Sequence, residues 1–388
     1  MLPAVRIGAD RLFDEQFSLI AGKRVGLITN PSGVDGELRA TADRLRERDG
    51  VELVRLFGPE HGIRGDAQDG VALDSEVGTR TGVATVSLYG ERRAPTTEDL
   101  ADLDLLIFDI QDVGVRFYTY LYTMSLAMEA CAEVGLPFLV LDRPNPLGGK
   151  IVEGNVLDPE FASFVGLYPI PVRYGLTIGE IASYFNEELS LGCNLQVVEL
   201  AGWRRSFLWE ETGLCWVPPS PNMPTADAAL IYPGMCFFEG TNLSEGRGTT
   251  RPFEQIGAPF LDPGELARRL QALDLPGVLF RDVTFTPSFG KFTGESCGGV
   301  HVHVRKSQGL HTVELGFHVL TEAMAVGGDR FEWRAGATGI HNFDKLAGSD
   351  RVRLSLDSGT SVLELTERWA EERKPFERRR SSYLRYPD

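Results

Sequence analysis

The stretch DLLIFDI, residues 104–110, decides the fold. It is apolar almost throughout, as a strand of a parallel sheet is when helices cover both of its faces. Residues 118–134 follow with the spacing of apolar side chains that is typical of a helix. Gly135 ends that predicted helix, and PFLVL at 137–141 is a second apolar run. The order strand, helix, strand predicts one unit of a parallel α/β sheet.

The same alternation continues on both sides of this unit. Further strands are predicted at residues 24–30, 52–57, 84–89 and 195–200, and further helices at 41–48 and 177–188. The last of these helices begins with Thr177 and has Glu180 three residues later, which is a capping-box pattern. The sequence therefore predicts an α/β protein whose first domain, residues 1–225, is a doubly wound parallel sheet.

The pattern changes after about residue 225. Residues 228–256 contain few helical periods and many Gly, Thr and Asn residues. Later segments predict a helix at 263–272, strands at 301–304 and 313–319, and a helix at 361–373. We predict a second, smaller α+β domain over residues 226–388, packed on the first.

Composition excludes several classes of function. The chain has 388 residues, a formal net charge of −16 and five widely spaced cysteines without a CxxC pair. An acidic chain is a poor partner for nucleic acid, and no apolar run is long enough to span a membrane. The first 16 residues lack the basic and apolar regions of a signal peptide. We expect a cytoplasmic protein whose cysteines are buried free thiols.

The segment FGPEHGIRGDAQDG, residues 57–70, places ionisable groups directly after the predicted strand at 52–57. Open α/β sheets bind ligands at the carboxyl ends of their strands. Glu60 and His61, held between Pro59 and Gly62, are therefore candidates for acid–base chemistry. The alternative is a loop-stabilising carboxylate with a capping histidine.

A second polar cluster lies in FDIQDVGVRFYTYLYT, residues 108–123. Asp109, Gln111, Asp112, Arg116 and Tyr118 follow or end a strand. Aromatic rings beside charged and amide groups suit a sugar, because rings stack on its apolar faces while polar groups bind its hydroxyls. The alternative is a helix entry with an internal Asp–Arg pair.

The third segment, LDRPNPLGG at residues 141–149, is again the end of a strand. Asp142, Arg143 and Asn145 are its polar members, and its two prolines make it rigid. A stiff connecting turn explains this segment as well as a ligand contact does.

The fourth segment spans residues 218–253 and is rich in glycine. Glu239, Asn242, Ser244, Glu245, Arg247 and Arg251 make an anion pocket plausible, and a glycine-rich hairpin is the alternative. The Gly-Lys-Ser/Thr ending of a phosphate-binding loop is absent, as is a GxGxxG after the first strand. We therefore expect no nucleotide cofactor.

A metal site is the weaker interpretation of the histidines. His301 and His303 share one face of a predicted strand, and His318 lies on another. Two or three imidazoles on one face suit zinc, but no HExxH pattern accompanies them. We expect histidines of a sheet face and no metal.

Taken together and in this order, the segments FGPEHGIRG, FDIQDVGVRFYTYLYT, LDRPNPLGG with VEGN, PSPNMP and FEGTNLSEGRGT strongly resemble the bacterial exo-β-N-acetylmuramidases. The resemblance extends from about residue 5 to the C-terminus. It implies a Rossmann-like first domain, a smaller second domain and a cleft between them. It also implies release of terminal, non-reducing N-acetylmuramic acid from peptidoglycan fragments during cell-wall turnover and recycling. The expected partners are muramic acid disaccharides or muropeptides, without a cofactor.

Carried over residue by residue, the resemblance makes Glu60 the catalytic acid. It implies that the cleft is lined by His61, Arg64, Asp109, Gln111, Arg116, Tyr118, Asn145, Glu153, Asn222, Glu239, Asn242 and Arg247.

Glycoside cleavage requires a second group besides the acid. Asp109, Asp112 or Glu239 would orient the substrate's acetamido group for attack on its own sugar, or a second carboxylate would act as base or nucleophile. The muramic acid carboxylate suits a guanidinium, for which Arg116 and Arg247 are the candidates. Two rival hypotheses are a metal-dependent hydrolase that uses His61, Asp109 and Asp112, and a sugar-binding protein without activity.

Overall fold

The computed structural model describes residues 5–60, 62–63, 82–90, 92–336 and 339–388. Its strands are β1 (Arg24–Thr29), β2 (Glu52–Gly58), β3 (Ala84–Ser87), β4 (Leu105–Asp109), β5 (Phe138–Leu141), β6 (Glu153–Val156), β7 (Pro171–Arg173), β8 (Leu195–Val198), β9 (Gln255–Ala258), β10 (Val278–Phe285) and β11 (Cys297–Val304). Its helices are α1 (Gly8–Asp14), α2 (Thr41–Glu47), α3 (Thr97–Leu100), α4 (Tyr120–Val134), α5 (Ile178–Glu188), α6 (Ala226–Met235), α7 (Pro263–Ala272), α8 (Thr312–Gly327), α9 (Asn342–Ala347), α10 (Arg351–Asp357) and α11 (Val362–Arg380).

A six-stranded sheet organises the first half of the chain. Its order is β3-β2-β1-β4-β5-β8, and every neighbouring pair is parallel. The chain starts in the middle of the sheet, extends to one edge and then returns to extend to the other. This is the strand order of the Rossmann fold, in which ligands bind outside the carboxyl ends of the strands. The predicted doubly wound α/β fold is confirmed.

The central strand β4 shows why helices cover both faces. All of its residues are buried, and alternate side chains enter different cores. Leu106 and Phe108 pack with α4 and α5, whereas Leu105 and Ile107 pack with α1 and α2. Each buried aliphatic or aromatic side chain contributes about 1.5–3 kcal/mol. If one face of this strand were polar, the helices on that side would have no apolar surface to pack against.

The helix boundaries follow local capping chemistry. The Thr177 hydroxyl accepts a hydrogen bond from the backbone N–H of Glu180, and the Glu180 carboxylate accepts one from the backbone N–H of Thr177. Gly135 adopts the left-handed conformation, with φ 68°, and ends helix α4 at its C-terminus. Both predictions from sequence are confirmed.

The second half forms a smaller antiparallel sheet of order β10-β11-β9, with α7 packed against it. The hairpin β6-β7 belongs by sequence to the first half but packs against α11 near the C-terminus. The two halves are therefore joined by a large shared core.

The predicted strand at 313–319 is wrong, because these residues lie in α8. Val313, Leu315, Phe317 and Val319 alternate like a strand, but all are buried within a helix that is apolar on most of its surface. Helix α6, which the sequence did not predict, crosses α8 where Gly234 meets Gly316. A Cβ atom on Gly316 would lie 2.3 Å from the Gly234 backbone, so this crossing requires glycine.

The remaining sequence expectations concern cysteines, histidines and membrane spans. Four of the five cysteines are buried free thiols, and Cys215 is exposed. His301 and His303 lie on β11, but His318 lies on α8 beside Glu314. In the described ranges we find no group of three potential ligands able to hold a metal ion. Nor do these ranges contain a helix long and apolar enough to cross a membrane.

Candidate active site

A pocket of about 130 Å³ lies where the carboxyl edge of the parallel sheet meets the second half of the chain. It is lined by Glu60, Phe117, Tyr118, Thr119, Tyr120, Val165, Ser220, Asn222, Met223, Tyr232, Cys236, Glu239, Arg247, Phe253 and Leu346.

Glu60 lies two residues beyond the end of β2. The backbone N–H of Gly62 donates to the carbonyl oxygen of Pro59 at 2.9 Å, and Gly62 adopts φ 72°. This bond turns the chain sharply after the strand, and the positive φ favours glycine. The Thr119 hydroxyl donates a hydrogen bond of 2.8 Å to one oxygen of the Glu60 carboxylate. Glu60 is therefore a half-buried acid, held by a residue at the start of α4.

A second wall of the pocket carries a carboxylate and a guanidinium. Arg247 donates to Glu239 at 2.8 Å and lies 3.6 Å from a carboxylate oxygen of Glu245. The guanidinium carbon of Arg247 also lies 5.1 Å from the ring centre of Phe253. Phe253 has φ 64°, which is a strained conformation for a residue with a side chain. The surrounding structure holds Phe253 in this strained conformation, and its ring is thereby fixed beside Arg247.

Aromatic side chains form the interior of the pocket. The ring centres of Tyr118 and Tyr120 are 5.0 Å apart, and Tyr232 packs edge-on against both Tyr118 and Phe253. The Tyr120 hydroxyl donates to the carbonyl oxygen of Pro219 at 2.6 Å. Tyr120 thereby fixes the segment that carries Ser220 and Asn222. Apolar rings beside polar groups are the surface that a sugar ring requires.

Asn222 lines the pocket with a buried amide group. Its side chain is 6% exposed, and its Nδ2 atom has no hydrogen-bond partner among the residues the structure describes. A buried amide donor without a partner costs free energy unless a ligand supplies an acceptor. Asn222 therefore suits a hydroxyl or carbonyl oxygen of a bound molecule.

Burial also determines which groups of the pocket stay neutral. It raises the pKa of the Tyr232 hydroxyl well above its ordinary value. Burial, followed by the nearby charge of Glu239, raises the pKa of the Cys236 thiol in the same way. Neither group is an anionic nucleophile near neutral pH. Among the described lining residues, the ionic chemistry thus belongs to Glu60, Glu239 and Arg247.

The structure brings together five of the predicted site residues, and they come from distant parts of the sequence: Glu60, Tyr118, Asn222, Glu239 and Arg247. His61 and Arg64 lie outside the described residues.

Asp109 and Gln111 lie in the interior and not at the pocket, which corrects their predicted placement. The Asp109 carboxylate accepts hydrogen bonds of 2.6 Å from both the Arg143 guanidinium and the Thr41 hydroxyl, and it has no exposed surface. The Gln111 side chain donates to the backbone carbonyl oxygens of Asp112 and Pro144. Protein groups therefore hold both side chains at the edge of the sheet. The structure contains an Asp–Arg pair, but its arginine is Arg143 of the third segment and not Arg116 of the second.

Arg116 is likewise internal, so its predicted contact with a substrate carboxylate does not fit. Its guanidinium donates to four backbone carbonyls, namely those of Asn155, Ile170, Leu346 and Ala347. Burial lowers the pKa of Arg116 to about 10. Since these carbonyls come from the β6-β7 hairpin and from α9, Arg116 joins distant segments of the chain.

Glu153, Asn145 and Asn242 also serve the fold. Glu153 accepts a hydrogen bond from the backbone N–H of Glu314 in the first turn of α8, and burial raises its pKa. The Asn145 amide donates to the Leu176 carbonyl and accepts from the Leu147 N–H. The Asn242 amide donates to the Arg330 carbonyl and accepts from the Glu332 N–H. Their hydrogen bonds explain why none of the three faces the pocket.

Sequence reasoning missed Thr119, Tyr120, Tyr232 and Phe253 as pocket residues. Thr119 and Tyr120 belong to the quoted motif FYTYLYT and fall within the predicted helix of residues 118–134. Tyr232 lies in α6, whose residues from Ala228 to Met235 are all buried. A helix without a polar face has no amphipathic period, so local sequence could not indicate it.

Two carboxylates in one aromatic-lined pocket are what glycoside cleavage requires. Family models of exo-beta-N-acetylmuramidase NamZ match this chain at residues 25–227 for the N-terminal part and 230–386 for the C-terminal part. The chain belongs to this family, which confirms the resemblance seen in its motifs. It is accordingly an enzyme, a glycosidase that hydrolyses O-glycosyl bonds.

Similar proteins cover nearly the whole chain. Peptidoglycan beta-N-acetylmuramidase NamZ of Bacillus subtilis (strain 168) is 48% identical over 384 residues, which are 99% of this chain and 92% of that protein. A crystal structure of a DUF1343 family protein from Bacteroides fragilis NCTC 9343 is 39% identical, with a TM-score of 0.90 and 99% of each chain covered. A second DUF1343 structure from the same organism is 32% identical, with a TM-score of 0.78 and the same coverage.

Proposed function

We propose that this enzyme releases terminal, non-reducing N-acetylmuramic acid from peptidoglycan fragments, with Glu60 as the general acid. The observation that carries this proposal is that Glu60 lines the same pocket as the paired side chains of Glu239 and Arg247. The B. subtilis relative is named for β-N-acetylmuramidase activity on peptidoglycan, which supports the substrate class. A role in wall recycling and the cytoplasmic location stay predictions.

Protonated Glu60 would donate its proton to the glycosidic oxygen as the bond from that oxygen to C1 breaks. The sugar becomes oxocarbenium-like, and water finally supplies the C1 hydroxyl. One water is consumed, and the products are free muramic acid sugar and the shortened alcohol. The hydroxyl of Thr119 bonds one carboxylate oxygen of Glu60, and we place the reacting proton on the other.

Glu239 is our candidate for the second group. Asp109 and Asp112 were alternatives in the sequence, but Asp109 binds Arg143 and Thr41 in the interior. Asp112 accepts hydrogen bonds from Tyr174 and from the Gly114 N–H, and burial raises its pKa to about 6. Glu239 lines the same pocket as Glu60. It would serve as base or nucleophile, or orient the acetamido group of the substrate.

Arg247 is our candidate for the contact with the lactyl carboxylate. Of the two arginines proposed from sequence, it is the one that lines the pocket. A guanidinium forms paired hydrogen bonds with a carboxylate. Glu239 and Glu245 hold Arg247 in place at the pocket.

The test is incubation of the enzyme with a muramic acid–N-acetylglucosamine disaccharide, followed by NMR from the first minutes. We expect free N-acetylmuramic acid and N-acetylglucosamine, and the first anomer formed distinguishes retention from inversion. Retention fits a covalent or acetamido-assisted route, whereas inversion fits activation of water by Glu239. Saturable binding of the disaccharide without turnover would instead support a binding protein and overturn the proposal.

A further inference from the structure

Three consecutive residues at the start of α4 each contact a different part of the pocket. Tyr118 packs edge-on against Tyr232. The hydroxyl of Thr119 donates to Glu60, and the hydroxyl of Tyr120 donates to the Pro219 carbonyl. The start of this helix thus joins the acid to the segment that carries Asn222.

Thr119 is held rigidly enough to position its partner. Its backbone carbonyl accepts hydrogen bonds from the N–H groups of Tyr122 and Thr123, at 3.0 and 3.1 Å. The following turns of α4 are buried in the main core. Glu60, by contrast, lies on a loop beyond the end of β2. The hydrogen bond of 2.8 Å therefore ties a loop carboxylate to a fixed helix.

We propose that Thr119 is a positioning residue that fixes which oxygen of Glu60 carries the reacting proton and stabilises the carboxylate as that proton leaves. This inference rests on the proposed function. Because Thr119 donates to one oxygen, the proton of the neutral acid lies on the other, Oε1. When Oε1 gives its proton to the glycosidic oxygen, the carboxylate becomes negative and the bond from Thr119 becomes charge-assisted. Such bonds are shorter and stronger, so this contact strengthens during the reaction.

The test compares Thr119→Val with Thr119→Ser and measures kcat and KM on two substrates. One substrate is the muramic acid–N-acetylglucosamine disaccharide, and the other is a 4-nitrophenyl muramic acid glycoside. The disaccharide has a basic leaving oxygen that needs protonation, whereas nitrophenolate leaves with little help from an acid. We expect Thr119→Val to lower kcat on the disaccharide at least about tenfold with KM little changed, since the whole acid contributes about 10²–10⁴. The loss on the nitrophenyl glycoside should be smaller, about threefold or less. Thr119→Ser should restore most of the lost rate.

Thr123→Val is the matched control. Thr123 lies one turn further along α4, is also buried, and its hydroxyl has no hydrogen-bond partner within the described part of the chain. This variant should keep wild-type kcat on both substrates.

Equal losses on the two substrates in Thr119→Val, or no rescue by serine, would overturn the inference, because a general loosening of the pocket slows both. Full activity of Thr119→Val on the disaccharide would overturn it too. Glu60→Gln, measured in parallel, distinguishes failure of this inference from failure of the proposed function. If Glu60→Gln is inactive and Thr119→Val is fully active, only the role of Thr119 is rejected. An active Glu60→Gln variant rejects the assignment of the acid itself.

Discussion

Two groups of polar residues in this protein look alike in sequence and differ in structure. Asp109, Gln111 and Asp142 follow apolar strands of the parallel sheet, as Glu60 does. The first three are buried, and other side chains or backbone groups of the protein bind them. Glu60 faces a pocket together with Glu239, Arg247 and the buried amide of Asn222.

The difference lies in where the hydrogen-bonding capacity of each group is used. Asp109 has its carboxylate occupied by Thr41 and Arg143, so it supports the edge of the sheet. Glu60 accepts a hydrogen bond from Thr119 on one carboxylate oxygen, and it lines the pocket. A strand-end carboxylate is therefore part of the chemistry only when the protein leaves it access to the pocket.

The largest expected effect is on stability, in Asp109→Ala. Removing this carboxylate, which lies 2.6 Å from the buried Arg143 guanidinium, leaves that guanidinium without an ion-pair partner. Breaking a buried ion pair in this way costs about 3–5 kcal/mol. Urea unfolding should show that decrease, whereas Glu239→Ala should change the free energy of unfolding by less than about 1 kcal/mol, as surface pairs do. If the Asp109→Ala protein were stable but inactive, Asp109 would have a role in the active site rather than in the fold.

The next largest effect is the pH dependence of stability that Asp142 causes. Burial raises the pKa of Asp142 to about 7, against a value near 4 in an unfolded chain. The folded protein therefore binds more protons here between those values, and the contribution of Asp142 to stability decreases as pH rises through this window. Asn is the neutral counterpart of the protonated acid. The stability of the wild type relative to Asp142→Asn should decrease by about 2–3 kcal/mol from pH 5 to pH 8. A difference that is independent of pH would contradict the role of Asp142 as a buried, neutralised acid.

How far the sequence predicts these roles depends on the distance between partners. The apolar runs locate the strands well, because burial on both faces of a parallel sheet leaves a continuous pattern. The partners of Asp109 lie 34 and 68 residues away, so no local pattern distinguishes it from Glu60. The sequence does not predict α6, and it predicts a strand within α8. Both helices are apolar on most sides and lack a helical period.

A smaller effect, on binding, is expected for Arg247→Ala. Losing a hydrogen bond to a charged group costs about 1.5–2 kcal/mol, which corresponds to a rise in KM of about 10- to 30-fold for muramic acid substrates. N-acetylglucosamine glycosides lack the lactyl carboxylate and should be much less affected. Arg251→Ala removes an exposed arginine of the same loop, paired with Glu254, and is the control. Equal losses for both sugars would reject Arg247 as the lactyl contact.

The central claim is that Glu60 donates the proton to the departing glycosidic oxygen. Its direct test is kcat/KM of Glu60→Gln on the muramic acid disaccharide and on the 4-nitrophenyl glycoside. Glu98→Gln, which changes an exposed glutamate of α3, is the control. We predict a fall of about 10³-fold or more on the disaccharide, a clearly smaller fall on the activated glycoside, and an unchanged control. Wild-type turnover of the disaccharide by Glu60→Gln would contradict the account.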